Sequence, residues 1–275
     1  MRNIEYPSFI NPVAISIPIS GFWGDAINIY WYGISYVLGA YLVYLHAVSR
    51  RGKFSIRLTK DEVSDLIIVY GLFFGAVIGG RLGNVLFYEM HLQLEDPLYF
   101  LKIWQGGMSF HGGLIGVLIS IGIFCYQKNM KFFQIMDWIA PSVPIALFFG
   151  RIANFINSEL YGRPTEVAWG IIFPTDPQGL VRHPSQIYEA LLEGVLLFIF
   201  LNFVIKHTNK LGRQSGYFLI GYAFARSFAE IFKSPDTVYG NEFLLFSFIT
   251  PGQLLCIPML ILGVLILNIK NARIS

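Results

Sequence analysis

Long apolar stretches alternate with short polar breaks along this chain, and about seven of the stretches are candidates to cross a bilayer. They run Ala26–Val48, Ser64–Tyr88, Phe110–Tyr126, Gln134–Asn157, Gln186–Ile205, Ser215–Phe232 and Thr250–Leu267, the third and sixth being short. A helix of about 20 apolar residues covers the ~30 Å hydrocarbon layer, so the pattern predicts an all-α polytopic membrane protein. Residues 1–275 read as one integral membrane domain. Within it, 158–184 is polar and rich in Gly and Pro, the pattern of a small extracytoplasmic cap, with Val167–Phe173 as a short strand. Tyr88–Ser109 has few turn signals but contains Tyr99, Phe100 and Trp104, as expected of a segment lying on the membrane surface.

Composition agrees with the pattern. Hydrophobic residues make up 55% and charged residues only 13%, with mean hydropathy +0.56; soluble domains carry roughly 25% charged residues. The net charge of +3 is small and scattered, which excludes nucleic acid as a partner. Pro7, Pro12 and Pro18 interrupt the early apolar run, so no removable signal peptide is expected. Cys125 and Cys256 fall toward opposite membrane faces in the topology below, which argues against a disulfide between them.

Basic residues set the orientation. With Ala26 starting outside, the inner segments hold Arg50, Arg51, Lys53, Arg57, Lys60, Lys128, Lys131, Lys206, Lys210, Arg213, Lys270 and Arg273. The outer segments hold Arg2, Lys102, Arg163, Arg182 and Lys233. That positive-inside asymmetry predicts an outer N-terminus and a cytoplasmic C-terminus.

The remaining three basic residues, Arg81, Arg151 and Arg226, sit inside apolar stretches. An arginine at mid-span costs ~2.5–3.5 kcal/mol on insertion scales, a cost nothing in a simple anchor offsets. All three lie in the outer halves of outward-running spans, the half that also holds Tyr32 and His111. A polar pocket near the outer leaflet follows, and guanidinium forks there suit a phosphate. Gly80-Arg81-Leu82-Gly83-Asn84 with Glu89 echoes Gly150-Arg151-Ile152-Ala153-Asn154 with Glu159, the pattern of a parallel duplication or of two coincident short matches.

Arg151, Asn154 and Ser158 share one helical face by spacing, read either as a ligand-facing edge or as a polar helix end. Tyr222, Arg226, Glu230 and Lys233 recur at i, i+4, i+8 and i+11, with Glu230 orienting or neutralising Arg226. The glycines after His111 permit close approach of a helix or a substrate. Pro184 suits a first helical position, and Glu189 and Glu193 fall one turn apart, either countering the arginines or serving the helix start. No phosphate-binding glycine loop, nucleophile elbow or zinc-spaced cluster is present, so the attacking group should come from a substrate.

Taken together, these motifs resemble the bacterial prolipoprotein diacylglyceryl transferases. The resemblance rests on Trp31-Tyr32-Gly33, Gly80–Gly83, His111–Gly116, Gly150–Arg163, His183–Glu189 and Tyr222…Arg226…Glu230 before Pro235-Asp236. It implies a seven-span enzyme of the bacterial cytoplasmic (inner) membrane, without metal or cofactor. Such enzymes move the diacylglyceryl group of phosphatidylglycerol to the lipobox cysteine in the signal peptide of a preprolipoprotein, releasing glycerol phosphate. By the resemblance Arg151 and Arg226 are the essential arginines, and His111 is the candidate base. Tyr32, Asn154, Glu159, Gly162 and Glu230 match other important positions, while Arg81 and Tyr222 join the expected substrate pocket. Lys233 stands where many relatives have arginine, keeping the charge but losing the fork. A rival class is a membrane anion transporter or channel, which also accommodates buried arginines but calls for polar inner halves. Leu118–Phe124 and Leu196–Val204 carry no charge, and Asp65 and Asp137 lie close to inner ends. A lipid-phosphate hydrolase is a third class, and would release diacylglycerol without an acceptor thiol.

Overall fold

The computed structural model describes residues 4–18, 26–103, 106–205, 210–234 and 249–269. Arg2, Trp104, Lys206, Pro235, Asp236, Lys270 and Arg273, named above, lie outside them. Strands β1 (Ile4–Glu5), β2 (Val13–Pro18) and β3 (Ala26–Tyr30) precede helix α1 (Trp31–Arg50). Then come α2 (Lys60–Tyr88), α3 (Met90–Glu95), α4 (Phe110–Gln127) and α5 (Phe132–Ile156). Strands β4 (Ile171–Ile172) and β5 (Val181–Arg182) lead to α6 (Ser185–Val204), α7 (Arg213–Ala229) and α8 (Pro251–Asn268).

The described chain is mostly helical, and five helices, α2, α4, α5, α6 and α8, are long and apolar enough to cross a membrane. The first and sixth expected spans are present as α1 and α7 but are not among these five, α7 having only 17 residues. Two further expectations are corrected. Ala26–Tyr30 is not the start of a helix: it pairs antiparallel with Val13–Pro18. In each segment two isoleucines flank one polar residue, Ile15-Ser16-Ile17 and Ile27-Asn28-Ile29, the period of a strand rather than of a helix. The expected strand Val167–Phe173 shrinks to Ile171–Ile172, because Ala168 and Trp169 form a turn closed by the Gly170 N–H donating to the Val167 carbonyl.

The chain divides into two compact units, residues 44–138 and residues 1–43 with 139–275. In the first of these, α2 and α4 touch through glycine. A β-carbon at Gly83 would lie 2.5 Å from the Gly112 Cα, and one at Gly79 2.8 Å from the Gly116 Cα. The glycines after His111 therefore serve helix approach, a small-residue seam of the kind that lets backbones meet in a membrane. Ser109 caps α4 by accepting from the Gly112 N–H at 3.3 Å. The Trp138 indole, fully buried, donates to the Ala47 carbonyl at 2.9 Å.

In the other unit Pro141 and Pro144 tighten α5 into a short 3-10 turn at Ala140–Ser142. Asn202 of α6 donates to the Pro141 carbonyl at 2.9 Å, one way a proline-interrupted helix satisfies its backbone in an apolar setting. Leu197, Leu201 and Tyr222 form a buried core with Leu147, Phe218 and Met259. β4 pairs parallel with β1 and antiparallel with β5. On α8 Leu255, Ile257, Ile261, Leu262, Val264 and Leu265 are exposed, an apolar surface suited to lipid.

Candidate functional site

Arg151 of α5, Glu189 and Glu193 of α6 and Arg226 of α7 meet in one cluster. Glu189 and Glu193 lie one helical turn apart on α6, and both are fully buried. Arg151 of α5 donates from Nε and Nη2 to Glu193 Oε2 at 3.1 and 3.0 Å, and its Nη1 lies 3.2 Å from Glu189 Oε2. Arg226 of α7 donates from Nη1 to Glu189, with Glu193 Oε1 3.4 Å away. Its Nη2 lies 2.9 Å from Glu230 Oε2, at the end of the same helix. The buried glutamates thus tie together two arginines from separate helices.

The cluster is not simply cationic. Two guanidiniums face three carboxylates, which offsets the cost of burying the arginines and stops them reaching for bulk water. What stays accessible is arginine: side-chain exposure is 17% for Arg151 and 13% for Arg226, against 0% for Glu189 and Glu193. A guanidinium has five N–H donors, and these contacts engage about three on Arg151 and two or three on Arg226. Donors remain for an anion on the exposed side. Tyr222, buried and stacked on Phe218, stands among these charges.

Beyond Arg151 the helix stops at Ile156, and the chain turns through two non-glycine residues in the left-handed region, Ser158 (φ 56°) and Leu160 (φ 56°). Each such residue costs roughly 1–3 kcal/mol unless its surroundings hold it. Here Ser185 Oγ donates to the Leu160 carbonyl at 3.0 Å and Gln186 Nε2 to the Glu159 carbonyl at 2.6 Å. The turn aims Glu159 back at Asn154, whose Nδ2 donates to it at 2.8 Å. Asn154 also interacts with the Tyr32 hydroxyl, which lies 3.3 Å from the Tyr36 hydroxyl. Ser158 leaves the Arg151–Asn154 face and meets Thr175 at 3.0 Å.

Gly162 is a close-contact residue. A β-carbon there would sit 2.4 Å from the Phe232 carbonyl oxygen and 2.7 Å from His183. It forms a bridge with Lys233, whose carbonyl accepts from Arg163 Nε at 3.0 Å. Because α7 ends at Ala229, Lys233 does not continue the face of Tyr222, Arg226 and Glu230. In the segment 158–184, Arg182 grips Asp176 at 2.8 and 3.0 Å, and the pairing holds that carboxyl below the ordinary carboxylate range. Burial lowers the His183 imidazole and, foremost among its causes, raises the Tyr161 hydroxyl.

Arg81 and His111 belong to the unit of residues 44–138. Arg81 is 2% exposed and donates to the carbonyls of Phe100 (3.3 Å), Gly106 (2.6 Å) and Tyr99 (2.9 Å), with Glu89 Oε2 3.6 Å from its Nη1. Its guanidinium stacks 4.7 Å from the Tyr99 ring centre. The sequence echo recurs locally, for Asn84 donates to Glu89 at 2.6 Å as Asn154 does to Glu159. The two arginines nonetheless differ: Arg81 is held by loop carbonyls and a partly exposed Glu89, Arg151 by two fully buried glutamates. His111 lies in the first turn of α4, half-buried, its ring 5.8 Å from that of Phe110.

Sequence reasoning did not single out Ser185 and Gln186 as supports of the Glu159 turn. The signal was two polar residues opening an apolar helix, and the structure buries both fully.

A family model described as prolipoprotein diacylglyceryl transferase matches residues 19–269. Relatives named phosphatidylglycerol–prolipoprotein diacylglyceryl transferase resemble almost the full chain. One from Acinetobacter baumannii is 46% identical, covering 94% of this chain and 92% of its own. Another from Vibrio parahaemolyticus is 44% identical over 96% and 92%. A third from Pseudomonas syringae is 42% identical over 98% and 96%. With a family model spanning nearly all of its helices and relatives this close at full length, the chain belongs to the prolipoprotein diacylglyceryl transferase family.

Proposed function

We propose that this chain transfers the diacylglyceryl group of phosphatidylglycerol to the thiol of a lipobox cysteine in preprolipoproteins, releasing glycerol phosphate. The observation that carries the reading is the pair Arg151 and Arg226, held from separate helices by the same two buried glutamates with their own donors partly accessible. We take the whole chain as one integral membrane domain of seven spans in the bacterial inner membrane, N-terminus outside and C-terminus cytoplasmic. Residues 158–184 form its extracytoplasmic cap.

The chemistry follows from the charges. Arg151 and Arg226 hold the lipid phosphate through their remaining donors, and Glu189, Glu193 and Glu230 keep both forks in place. The substrate thiolate attacks the glycerol carbon that bears the phosphate. That carbon–oxygen bond breaks, and the electron pair leaves on glycerol phosphate. Fixed guanidinium donors stabilise the negative charge growing on the departing phosphate, and in a low-dielectric setting this needs no reorganisation. The thiol proton must leave first, since a free cysteine with pKa ~8.5 is mostly protonated at neutral pH. His111 is its candidate acceptor by resemblance. Tyr32, Asn154, Glu159, Gly162 and Tyr222 complete the substrate site around the two arginines, while Arg81 holds the carbonyls of Tyr99, Phe100 and Gly106 and Lys233 bridges to Gly162.

The test is thiol lipidation in vesicles containing phosphatidylglycerol, run beside an ion-flux assay. Transfer without flux is expected, and Arg151→Ala and Arg226→Ala should abolish transfer while the protein still inserts. Near-normal transfer in either variant, or anion flux without transfer, would end the proposal.

A further inference from the structure

We propose that Gly252 is a positioning residue for Arg226, acting through Glu230. Helix α8 opens with Thr250-Pro251-Gly252-Gln253, where Thr250 Oγ1 accepts from the Gln253 N–H at 3.2 Å. The Gln253 side chain returns to the Thr250 N–H at 3.1 Å and also donates to the Ser227 carbonyl of α7 at 3.3 Å. That second contact docks the first turn of α8 on the end of α7. It brings the Gly252 Cα against the Glu230 carboxylate.

A β-carbon at Gly252 would stand 2.6 Å from Glu230 Cδ and 2.7 and 2.8 Å from its two oxygens. Those distances are shorter than van der Waals contact allows. The Gly252 backbone lies outside the left-handed region, so conformation does not require glycine here. Helix propensity opposes it as well, since alanine is the better residue inside a helix. What requires glycine is the volume of the carboxylate. Glu230 is 6% exposed, and its carboxylate is the partner of Arg226 Nη2. Because it is the far end of a flexible side chain, a methyl group at position 252 displaces it before it displaces backbone. Arg226 then loses one of the three carboxylates that hold its fork. Gly252 touches no reacting atom, and its effect passes entirely through Glu230.

The inference rests on the transfer reading above, and the experiment separates the two. Gly252→Ala, Glu230→Asp and the double variant are compared with the unmodified protein for insertion, Tm and diacylglyceryl transfer to a lipobox peptide. A 1 Å misplacement of a catalytic group costs on the order of 100-fold, so Gly252→Ala should lower transfer by roughly 10- to 100-fold. Its Tm should fall, since displacing a buried carboxylate from its arginine outweighs the Gly-to-Ala gain of a helix interior. With the shorter Glu230→Asp carboxylate the methyl has room, so adding Gly252→Ala should change the rate of that variant less than twofold and hold or raise its Tm rather than lower it. The Tm comparison stands even where Glu230→Asp alone is inactive. Unaltered transfer by Gly252→Ala, or equal effects on rate and Tm in both backgrounds, would overturn the proposal. Should Gly252→Ala fail to insert, recovery of insertion in the double variant supports it and continued failure refutes it. A silent unmodified protein would instead overturn the transfer reading.

Discussion

Replacing Arg226 by lysine isolates the fork from the charge. Arg226 addresses Glu189 and Glu193 through Nη1 and Glu230 through Nη2, so the two ends of one guanidinium serve carboxylates on different helices. A lysine ammonium is a single point with no rigid fork, and it reaches one of those groups well at a time. At least one charge-assisted hydrogen bond is lost, worth roughly 1.5–3 kcal/mol. If the fork is needed in the transition state, that loss lowers the rate about 10- to 150-fold, at 1.36 kcal/mol per decade. The assay is initial-rate transfer to a lipobox peptide from phosphatidylglycerol vesicles, with insertion and Tm as controls. A lysine variant within twofold of the unmodified rate would show that charge alone suffices and that the glutamate-held geometry is irrelevant.

Three other substitutions probe separate parts of the structure. Gly83→Val places side-chain carbon where the Gly112 backbone lies, at 2.5 Å for the first atom; overpacking of this kind costs about 1–3 kcal/mol, so a lowered Tm is expected and an unchanged Tm contradicts the glycine seam. Asp176→Ala removes the partner of buried Arg182 and should cost roughly 3–5 kcal/mol of local stability, read as faster proteolysis of 158–184. Because the folded Asp176 carboxyl is depressed, its contribution is complete above the unfolded value near ~3.9 and is lost as pH falls through the lower folded value; stability of that segment independent of pH there would refute the assignment. His111→Gln should slow transfer by on the order of 10-fold or more at pH 7, the deficit shrinking above pH ~8.5 as the thiol ionises unaided; a deficit equal at every pH argues against a base.

Local spacing made part of the site legible. Arg226 and Glu230, and likewise Glu189 and Glu193, are i,i+4 pairs on apolar helices, and burial makes unpaired charges there too costly to leave alone. The fate of Arg81 could not be read, because its acceptors are carbonyls of Tyr99, Phe100 and Gly106, fixed only once the loop folds. Ser158 and Leu160 carry no glycine to announce a left-handed turn, so spacing alone leaves Ser158 on the helical face of Arg151 and Asn154. Spacing puts Lys233 on the α7 face for a similar reason, since nothing local marks the stop at Ala229. At Ala26–Tyr30 the clue was present in the alternation of Ile27 and Ile29 with Asn28, but the neighbouring apolar run outweighed it. Its strand partner lies earlier in the chain, beginning at Val13.

The central claim concerns where the lipid phosphate rests, and a structure determined with phosphatidylglycerol bound in a lipid nanodisc addresses it directly. The account predicts phosphate oxygens within hydrogen-bonding distance, about 3 Å, of both the Arg151 and the Arg226 guanidiniums, with Glu189 and Glu193 still behind them. A headgroup bound elsewhere in an active preparation, with both arginines engaged only by their glutamates, would contradict it.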